Sequence, residues 1–555
     1  MLQVVKRVYS KSSIGMLLSI YNYLFSRQPY NNTRSYSTNN PIISSKVADG
    51  FHPRLKTIFQ QLDAIAPRFT LRKGDIKILM DPRDFYATLK LMIDLAKSRV
   101  FLSSLYIGRG QQDLVDHISK ALETNEDLKV YILTDALRGT REAPESLCSA
   151  SLLVPLVEKF GKHRIDVRMY HTPHLNGFKK SFTPKRVNES WGLQHMKLYG
   201  IDDEILMTGA NLSEDYFTDR QDRYYILKSK ALTDYYFDIQ SAISSLSYQV
   251  LTSTKQEQGF RLSWPTSNKS CEPHINVQRF ISDSSFLLEP LLKQHRLTSF
   301  DEFKDTDEFD TIVYPVSQFT PLLHPQNDTS TEKPAVLRVL SYLDSPKIKW
   351  WFTAGYFNML AEIQERLING AAKGVVITAS AQANSFYKSR GVSYYIPEAY
   401  LLLAKKFLEE VSRRGKESLI RLYEWKKGVV NTVGGWSYHA KGIWITVPEE
   451  DEPSITVIGS SNYTKRSYLL DLESNAIIIT KDENLKLDMK KEIEHLMIDV
   501  EELKLSDFEP KPLPQSESGE ENGPHRNEGP KYAIDENRKI SYGVHLAVKV
   551  IGDKL

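Results

Sequence analysis

The chain has 555 residues, of which 41% are hydrophobic and 25% charged, a composition typical of a globular protein with two to four domains. Its 72 Lys and Arg residues nearly balance its 69 Asp and Glu residues, so the net charge gives no reason to expect a nucleic-acid partner. The two cysteines, Cys148 and Cys271, exclude a disulfide framework. No apolar run reaches the ~18 residues of a membrane-spanning helix, which leaves binding to a membrane surface open.

The first 48 residues have the composition of a targeting segment. No acidic residue precedes Asp49, whereas this stretch contains six Lys or Arg residues and many Ser and Asn residues. Such a composition favours a mitochondrial presequence, with a processing site between Arg34 and Ser37. A secretory signal and a plain disordered start are the alternatives. Against a secretory signal, the apolar part, 14–25, is interrupted by polar residues and no small-residue cleavage signal follows it.

Beyond Asp75 the sequence alternates between strand and helix patterns. An apolar run at 99–107, helical spacing across 114–122 and a second run at 129–134 predict a strand, a helix and a strand. We therefore predict an α/β fold with two pseudo-symmetric lobes, each a mixed, largely parallel sheet flanked by helices. The second-half copies of these three patterns lie at 349–357, 360–367 and 374–378.

Changes in composition set the predicted domain boundaries. Periodicity is weak between 251 and 334, and Pro, Gly, Glu and Asn become frequent after Asp507. A short apolar piece at 542–551 could dock as a strand. The predicted parts are a presequence at 1–48, a first lobe at 49–250, a connector at 251–334, a second lobe at 335–506 and a polar tail at 507–555.

Two similar motifs carry the candidate chemistry. Because residues two apart on a strand point to the same side, each His-x-Lys pair would project into one site. In both halves an Asn follows the His-x-Lys pair, with a Gly two or three positions before that Asn. An acid lies eleven positions after the Asn in both halves. A repeated pattern of this length is specific, whereas a single His-x-Lys would be weak evidence. The first copy comprises His195, Lys197, Asp202, Asn211 and Asp222, and the second comprises His439, Lys441, Asn462 and Glu473.

These motifs resemble those of the phospholipase D superfamily, in which two H-x-K-x4-D motifs meet in one site. The segments 103–108, 133–141, 194–213 and 435–473 are most similar to the mitochondrial CDP-diacylglycerol–glycerol-3-phosphate 3-phosphatidyltransferase family. The resemblance implies transfer of a phosphatidyl group from CDP-diacylglycerol to glycerol 3-phosphate, peripheral attachment to the mitochondrial inner membrane, and no cofactor. The second motif has Thr446 in place of the superfamily Asp, a departure that the family shares.

The resemblance and the residue types together assign roles. The pseudo-symmetry of the two motifs does not decide which histidine attacks phosphorus. By analogy with the family we predict that His195, whose motif is complete, is the nucleophile and that His439 acts as acid and then base. Lys197 and Lys441, with Asn211 and Asn462, would stabilise the phosphoryl oxygens, so this set of side chains demands no metal. Asp222 and Glu473 would accept from the histidine Nδ1 atoms. Asp202 is a candidate catalytic residue, with a role in the 200–203 turn as the alternative.

The phosphate of the acceptor needs cationic side chains. Arg138 and Arg141 follow the predicted strand at 129–134, where α/β sheets bind ligands, and we predict that they hold this phosphate. The second choice for holding this phosphate is a group of four basic residues, Lys179, Lys180, Lys185 and Arg186. The alternative is that they form a solvated loop or a site for anionic lipid headgroups.

A second class of function shares the motif chemistry. Phosphodiesterases of the same superfamily cut phospholipids or nucleic acids, and some of them also lack the motif Asp. The near-neutral charge is unfavourable for a long nucleic-acid track. The residues alone do not distinguish a phospholipid hydrolase from a transferase.

Overall fold

The computed structural model describes residues 50–177, 185–293, 309–512 and 532–552. The predicted presequence, Lys179 and Lys180 lie outside the described residues. The strands are β1 Phe69–Leu71, β2 Ile76–Leu79, β3 Arg99–Ser103, β4 Lys129–Asp135, β5 Ile165–Tyr170, β6 Leu198–Ile201, β7 Glu204–Thr208, β8 Arg220–Gln221, β9 Tyr224–Lys228, β10 Tyr248–Thr252, β11 Phe260–Ser263, β12 Thr311–Gln318, β13 Lys349–Ala354, β14 Lys373–Ala379, β15 Ile420–Trp425, β16 Ser437–Tyr438, β17 Lys441–Thr446, β18 Pro453–Gly459, β19 Glu473–Thr480, β20 Val500–Leu503, β21 Lys511–Pro512 and β22 Tyr532–Ala533.

The α-helices connect these strands or cover the sheets. They are α1 Leu55–Asp63, α2 Pro82–Asp94, α3 Gln112–Thr124, α4 Ala136–Gly139, α5 Ser149–Phe160, α6 Lys185–Asn188, α7 Glu214–Thr218, α8 Lys230–Ser244, α9 Val277–Lys293, α10 Glu332–Leu340, α11 Ala361–Asn369, α12 Ile396–Arg413, α13 Lys465–Leu469, α14 Glu483–Leu496 and α15 Tyr542–Ile551.

The duplicated strand–helix–strand pattern is confirmed. It corresponds to β3, α3 and β4 in the first half and to β13, α11 and β14 in the second. Leu114, Ile118 and Leu122, spaced four apart, are all buried on one face of α3, which explains why this amphipathic segment is a helix.

Two nine-stranded sheets form the framework. Their orders are β11-β10-β5-β4-β3-β6-β7-β9-β2 and β1-β12-β19-β18-β17-β13-β14-β15-β20. Six central strands follow the same order in both, β5-β4-β3-β6-β7-β9 matching β15-β14-β13-β17-β18-β19. The mixed α/β class with two related lobes is confirmed.

The prediction of largely parallel sheets was wrong. Parallel pairing in these two sheets is confined to β3–β4–β5 and β13–β14–β15, and the other neighbouring strands are antiparallel. The reason is that β6 and β7, like β17 and β18, are joined by short hairpin connections, which permit antiparallel pairing alone. The motif-bearing strands therefore lie antiparallel beside β3 and β13.

The predicted connector contributes to the sheets. All eight residues of β12 are buried, and the strand pairs with β19 on one side and with β1 on the other. A strand that is buried on both faces lacks the alternation of apolar and polar residues, so its periodicity is weak in the sequence. Part of the predicted connector is thus an interior strand of the second sheet.

The predicted docking of 542–551 as a strand was wrong, because this segment is helix α15. Val544 and Val548, four residues apart, form one buried edge of the helix. They pack against Ala399 and Leu402 of α12. The β-branched residues that suggested a strand are therefore accommodated by tertiary packing at helical spacing.

A buried cation connects the two halves. The Arg223 guanidinium, which follows β8, pairs with Glu492 of α14 at 2.8 Å and lies 3.8 Å from the ring centre of Trp444 in β17. It also donates to the carbonyl of Val457 at 2.7 Å. Because removing one partner of a buried ion pair leaves an uncompensated charge, this contact fixes the first half against the second. No helix in the described part of the chain is long and apolar enough to cross a membrane.

Candidate active site

Backbone pairing between the halves brings the two motifs together. Gln194 forms a parallel bridge with Leu472, and Tyr438 pairs in parallel with Gln221 in a two-stranded sheet. The next residue in each case is a motif histidine: the amide of His195 donates to the Leu472 carbonyl at 2.9 Å, and the amide of His439 donates to the Gln221 carbonyl at 2.8 Å. Each histidine is thus held beside the residue that precedes the opposite acid.

The acids are exchanged between the halves. Nδ1 of His195 lies 2.9 Å from Oε1 of Glu473, and Nδ1 of His439 lies 2.6 Å from Oδ2 of Asp222. All four side chains are buried, with Glu473 fully so. A carboxylate at Nδ1 fixes the tautomer that leaves Nε2 with its lone pair. The sequence predicted these acids, and the structure shows that each serves the histidine of the other half.

Both motif lysines are buried beside the histidines. Lys197 Nζ donates to the backbone carbonyl of His195 at 2.6 Å. Lys441 Nζ lies 2.7 Å from Nδ1 of His439 and 3.6 Å from Oδ2 of Asp222. The charges of Lys197 and His195 also act on His439, so the two His-x-Lys pairs form one cluster, as the family resemblance implied.

Burial dominates the electrostatics of this cluster. Burial and the nearby Lys197 ammonium lower the pKa of His195 well below its usual value, and burial with Lys441 does the same for the pKa of His439. Burial also lowers the pKa of both lysines and raises the pKa of Glu473 to about 7. Neutral imidazole is therefore the resting form, as a nucleophile or a base requires.

The two histidines differ at Nε2. The hydroxyl of Tyr216 lies 3.3 Å from Nε2 of His439 and accepts from Nδ2 of Asn211 at 3.0 Å. Nε2 of His195 has no such partner among the residues that the structure describes. Tyr216 could not be identified from the sequence, because it is not one of the positions repeated in both motifs and its role depends on a contact between the halves.

Each of the two motif asparagines has a buried side-chain oxygen that can still accept a hydrogen bond. In the described structure, Oδ1 of Asn211 and Oδ1 of Asn462 are buried without a hydrogen-bond partner. The preceding Gly209 has a clear role, since a Cβ there would lie 2.5 Å from Lys441 Nζ and 2.8 Å from Asp222 Oδ1. The Gly-x-Asn pattern of the first copy thus reflects close approach of this backbone to the site.

Asp202 does not join the site, so its catalytic assignment was wrong. Its carboxylate accepts from the backbone amides of Lys97, Ser98 and Arg99 at 2.8–3.0 Å, at the beginning of β3. Thr446 does the corresponding work in the second half, where its Oγ1 accepts from the amide of Lys349 at the beginning of β13. The motif Asp therefore anchors a neighbouring strand, and a threonine hydroxyl can replace it.

Of the two predicted phosphate-binding arginines, Arg138 lines a cavity of the first lobe and Arg141 does not. Arg138 stacks 3.7 Å from the Tyr106 ring centre and lines a cavity of about 690 Å³. Arg141 pairs with Glu189 at 3.1 Å. Lys185 instead contacts Glu145 at 3.1 Å and is exposed, as expected of a solvated loop residue.

Two further arginines near the histidines were missed by the sequence analysis. Arg466 donates to the Glu189 carbonyl at 2.9 Å, next to Arg141, and its charge acts on His195. Arg220 stacks 4.3 Å from the Tyr216 ring centre, and its charge acts on His439. Neither occupies a repeated position, so spacing could not reveal them. In the described residues, no group of three or more His, Cys, Asp or Glu side chains could hold a metal ion.

Comparison with known proteins places the chain in a family, although no family profile matches it. The CDP-diacylglycerol–glycerol-3-phosphate 3-phosphatidyltransferase of Saccharomyces pastorianus is 47% identical, over 88% of this chain and 89% of the relative. The chain belongs to this family. The enzyme of the same name from Saccharomyces cerevisiae is 44% identical over 95% of this chain and 96% of that protein. The predicted class, a phosphatidyltransferase, is confirmed.

The 3-phosphatidyltransferase family also has members in animals, and the name of the Mus musculus protein includes the word mitochondrial. That protein is 31% identical over 79% of this chain and 80% of its own length. A solved structure, phosphatidylserine synthase of Haemophilus influenzae, has 17% identity and a TM-score of 0.58, covering 81% of this chain and 92% of that one. This likeness shows that the two chains share a fold.

Proposed function

We propose that the protein transfers the phosphatidyl group of CDP-diacylglycerol to glycerol 3-phosphate, releasing CMP and forming phosphatidylglycerophosphate. The observation that carries this proposal is the single buried cluster of two His–Lys pairs in which each histidine has its acid from the other half. Membership of the 3-phosphatidyltransferase family supports the choice of substrates.

In the first half-reaction, Nε2 of His195 attacks the phosphorus of the phosphatidyl group. The N–P bond forms as the bond from phosphorus to the CMP oxygen breaks, and CMP leaves. The proton on Nδ1 stays directed at Glu473, which compensates the positive charge that develops on the imidazole. The acid role predicted for His439 is not needed in this step, because the second pKa of a phosphate monoester is about 6 and CMP leaves with little protonation.

In the second half-reaction, the hydroxyl of glycerol 3-phosphate attacks the same phosphorus. Neutral His439 accepts the hydroxyl proton at Nε2 while Asp222 holds its Nδ1. The new O–P bond forms as the N–P bond to His195 breaks. Tyr216, in contact with Nε2 of His439, positions the ring and orders the path of that proton.

Lysine and asparagine side chains stabilise the transferred group. Lys197 and Lys441 lie in a buried cluster, where a preorganised cation acts on developing negative charge far more strongly than in water. Removing one such donor costs about 10²–10³-fold in kcat. Asn211 and Asn462 would supply amide donors to the same oxygens.

A direct assay tests the function. Purified protein is given CDP-diacylglycerol with or without glycerol 3-phosphate, and CMP and the lipid product are measured. We expect a lipid product with two phosphate groups, formed in equal amount to CMP, when glycerol 3-phosphate is present. Phosphatidic acid as the main product under both conditions would instead show a phospholipase D-type hydrolase.

Arg141, supported by Arg138, is proposed to bind the phosphate of glycerol 3-phosphate. Arg141 binds the carboxylate of Glu189, whose backbone carbonyl accepts from Arg466, and it is partly exposed, so it can exchange its carboxylate partner for a phosphate. The neighbouring Arg466 brings a second cation to the side of His195.

Arg141→Ala should therefore slow transfer to glycerol 3-phosphate by roughly ten- to hundredfold, the value of a charge-assisted contact of about 1.5–3 kcal/mol. CMP release in a single turnover should be nearly unchanged, because it precedes binding of the acceptor. Arg83→Ala, an exposed arginine of the same lobe, is the control. Equal loss in both half-reactions would contradict the assignment and place Arg141 on the CDP-diacylglycerol side.

Residues 1–48 are proposed to direct import into mitochondria, after which the protein acts peripherally at the inner membrane. The basic, acid-free composition of this segment and the names of the animal relatives support this. A reporter fused to residues 1–48 should enter mitochondria and be shortened. A cytosolic reporter of full length would contradict the proposal.

A further inference from the structure

One apolar surface of the second half is left uncovered in the described structure. Helix α15 buries Val544 and Val548 against α12, yet its other edge carries Tyr542, 85% exposed, and Leu546, 57% exposed. A soluble helix with one packed edge normally has a polar opposite edge. The two exposed residues are four apart and therefore share one side of the helix.

A pair of exposed aromatic residues lies at the beginning of the same supporting helix. Tyr394 and Tyr395 are 55% and 51% exposed, and they immediately precede α12. The backbone amide of Ser541, next to Tyr542, donates to Glu398 in the first turn of α12. We name Tyr394, Tyr395, Tyr542 and Leu546 the tyrosine patch.

Exposed cations without an acidic partner lie close to the tyrosine patch. The stretch 385–397 contains Lys388 and Arg390 and no acid. In the stretch 537–552, Arg538 pairs with Glu424 and Lys539 pairs with Glu536, which leaves the exposed Lys549 as the cation of this described stretch that pairs with no acid. Lys388 and Arg390 are both exposed. Glu398, the first acid of α12, is already bound to the Ser541 amide. Aromatic side chains with surrounding cations are the composition that binds an anionic lipid surface.

The tyrosine patch is one helix away from the reacting groups. Tyr400, in the second turn of α12, lies 5.7 Å from Tyr356 between ring centres, and Tyr356 lies 5.5 Å from His439. Asn358, two residues beyond Tyr356, donates to the Gly552 carbonyl at the end of α15. The same elements therefore shape the second-half wall of the site and carry the exposed apolar residues.

We propose that the tyrosine patch docks on an anionic phospholipid bilayer and sets the second-half side of the active site against it. The inference rests on the proposed function, because a diacyl substrate remains in the bilayer while its phosphates reach His195 and His439. Tyrosine rings and Leu546 would lie at the level of the headgroups, and Lys388 and Arg390 would contact lipid phosphates.

Vesicle binding tests the proposal with the full chain. Wild type should bind vesicles of phosphatidylcholine with phosphatidylserine more tightly than vesicles of phosphatidylcholine alone. Tyr542→Ser with Leu546→Ser should weaken binding about tenfold or more, because two exposed apolar side chains no longer enter the interface. Lys388→Ala and Arg390→Ala should each cost roughly fivefold on the anionic vesicles at low salt. Leu91→Ser with Leu95→Ser, at two leucines of the first half that are 58% and 65% exposed, is the matched control and should bind as wild type.

A water-soluble, short-chain CDP-diacylglycerol separates membrane docking from chemistry. All patch variants should release CMP from this substrate at the wild-type rate and lose activity with vesicle-borne substrate alone. Unchanged vesicle binding, equal loss on the soluble substrate, or a wild-type dimer that the patch substitutions dissociate would each overturn the proposal. Failure of the wild type on the soluble substrate, with vesicle binding intact, would instead reject the proposed function.

Discussion

His195→Ala should abolish formation of the covalent intermediate, lowering CMP release by roughly 10⁴- to 10⁶-fold. The variant lacks the atom that forms the N–P bond, and the cluster offers no second unpartnered imidazole nitrogen, since Nε2 of His439 contacts Tyr216. Rapid-quench measurement of CMP from CDP-diacylglycerol, without acceptor, reads this step alone. His163→Ala, an exposed histidine of the same half, is the control.

His439→Ala should produce a different defect. Because CMP leaves with little protonation, the first half-reaction should continue, while attack by the acceptor hydroxyl slows by about 10²–10⁴-fold without its base. The phosphatidyl-enzyme should therefore accumulate on His195 as an acid-labile adduct, visible as a mass increase of the protein. An adduct on His439 in the His195→Ala variant would reverse the assignment of the nucleophile.

The double variant tests whether the histidines act as one unit. If both serve one reaction sequence, the double variant His195→Ala with His439→Ala should be hardly slower than His195→Ala alone. Without His195 the phosphatidyl-enzyme does not form, so the base His439 has no second half-reaction to assist. Losses that multiply in full would show two independent sites. Thermal unfolding of all three variants should be measured beside the kinetics, since both histidines are buried.

Local pattern was sufficient to predict the repeated part of the fold. Helical spacing in α3 and the apolar runs of β3 and β4 come from interactions within a short segment, which the sequence shows directly. β12 could not be found in this way, because a strand buried on both faces has no alternation, and its partners β1 and β19 are distant in the chain. The helical state of α15 likewise depends on packing against α12.

The same difference between local pattern and long-range contact applies to the candidate site. Residue types and repeated spacing identified the histidines, lysines, asparagines and acids, because each position recurs in both halves. Spacing could not show that the Asp202 carboxylate accepts hydrogen bonds from the amides at the beginning of β3, because these residues are about a hundred positions apart in the sequence. Tyr216, Arg220 and Arg466 are not repeated, so only the assembled structure brings them to the histidines.

The exchange of acids between the halves leads to the second large expected effect. Glu473→Gln should slow the burst of CMP by about 10²–10⁴-fold, because the amide cannot compensate the positive charge that develops on His195 during attack. Asp222→Asn should leave that burst nearly intact and slow the following turnover by a similar factor, because Asp222 supports the base His439.

Pre-steady-state measurement of CMP against time therefore distinguishes the two variants. Asp222→Asn should release the first equivalent of CMP rapidly, and Glu473→Gln should release it slowly. Asp116→Asn and Glu409→Gln, the same substitutions at exposed positions of the two halves, are matched controls. If each acid instead served the histidine of its own half, the phenotypes would be interchanged: Asp222→Asn would lose the burst and Glu473→Gln would keep it. Because both carboxyls are buried and carry a raised pKa, their neutral amides should cost little folding stability, so a kinetic difference between the variants reports on the pairing itself.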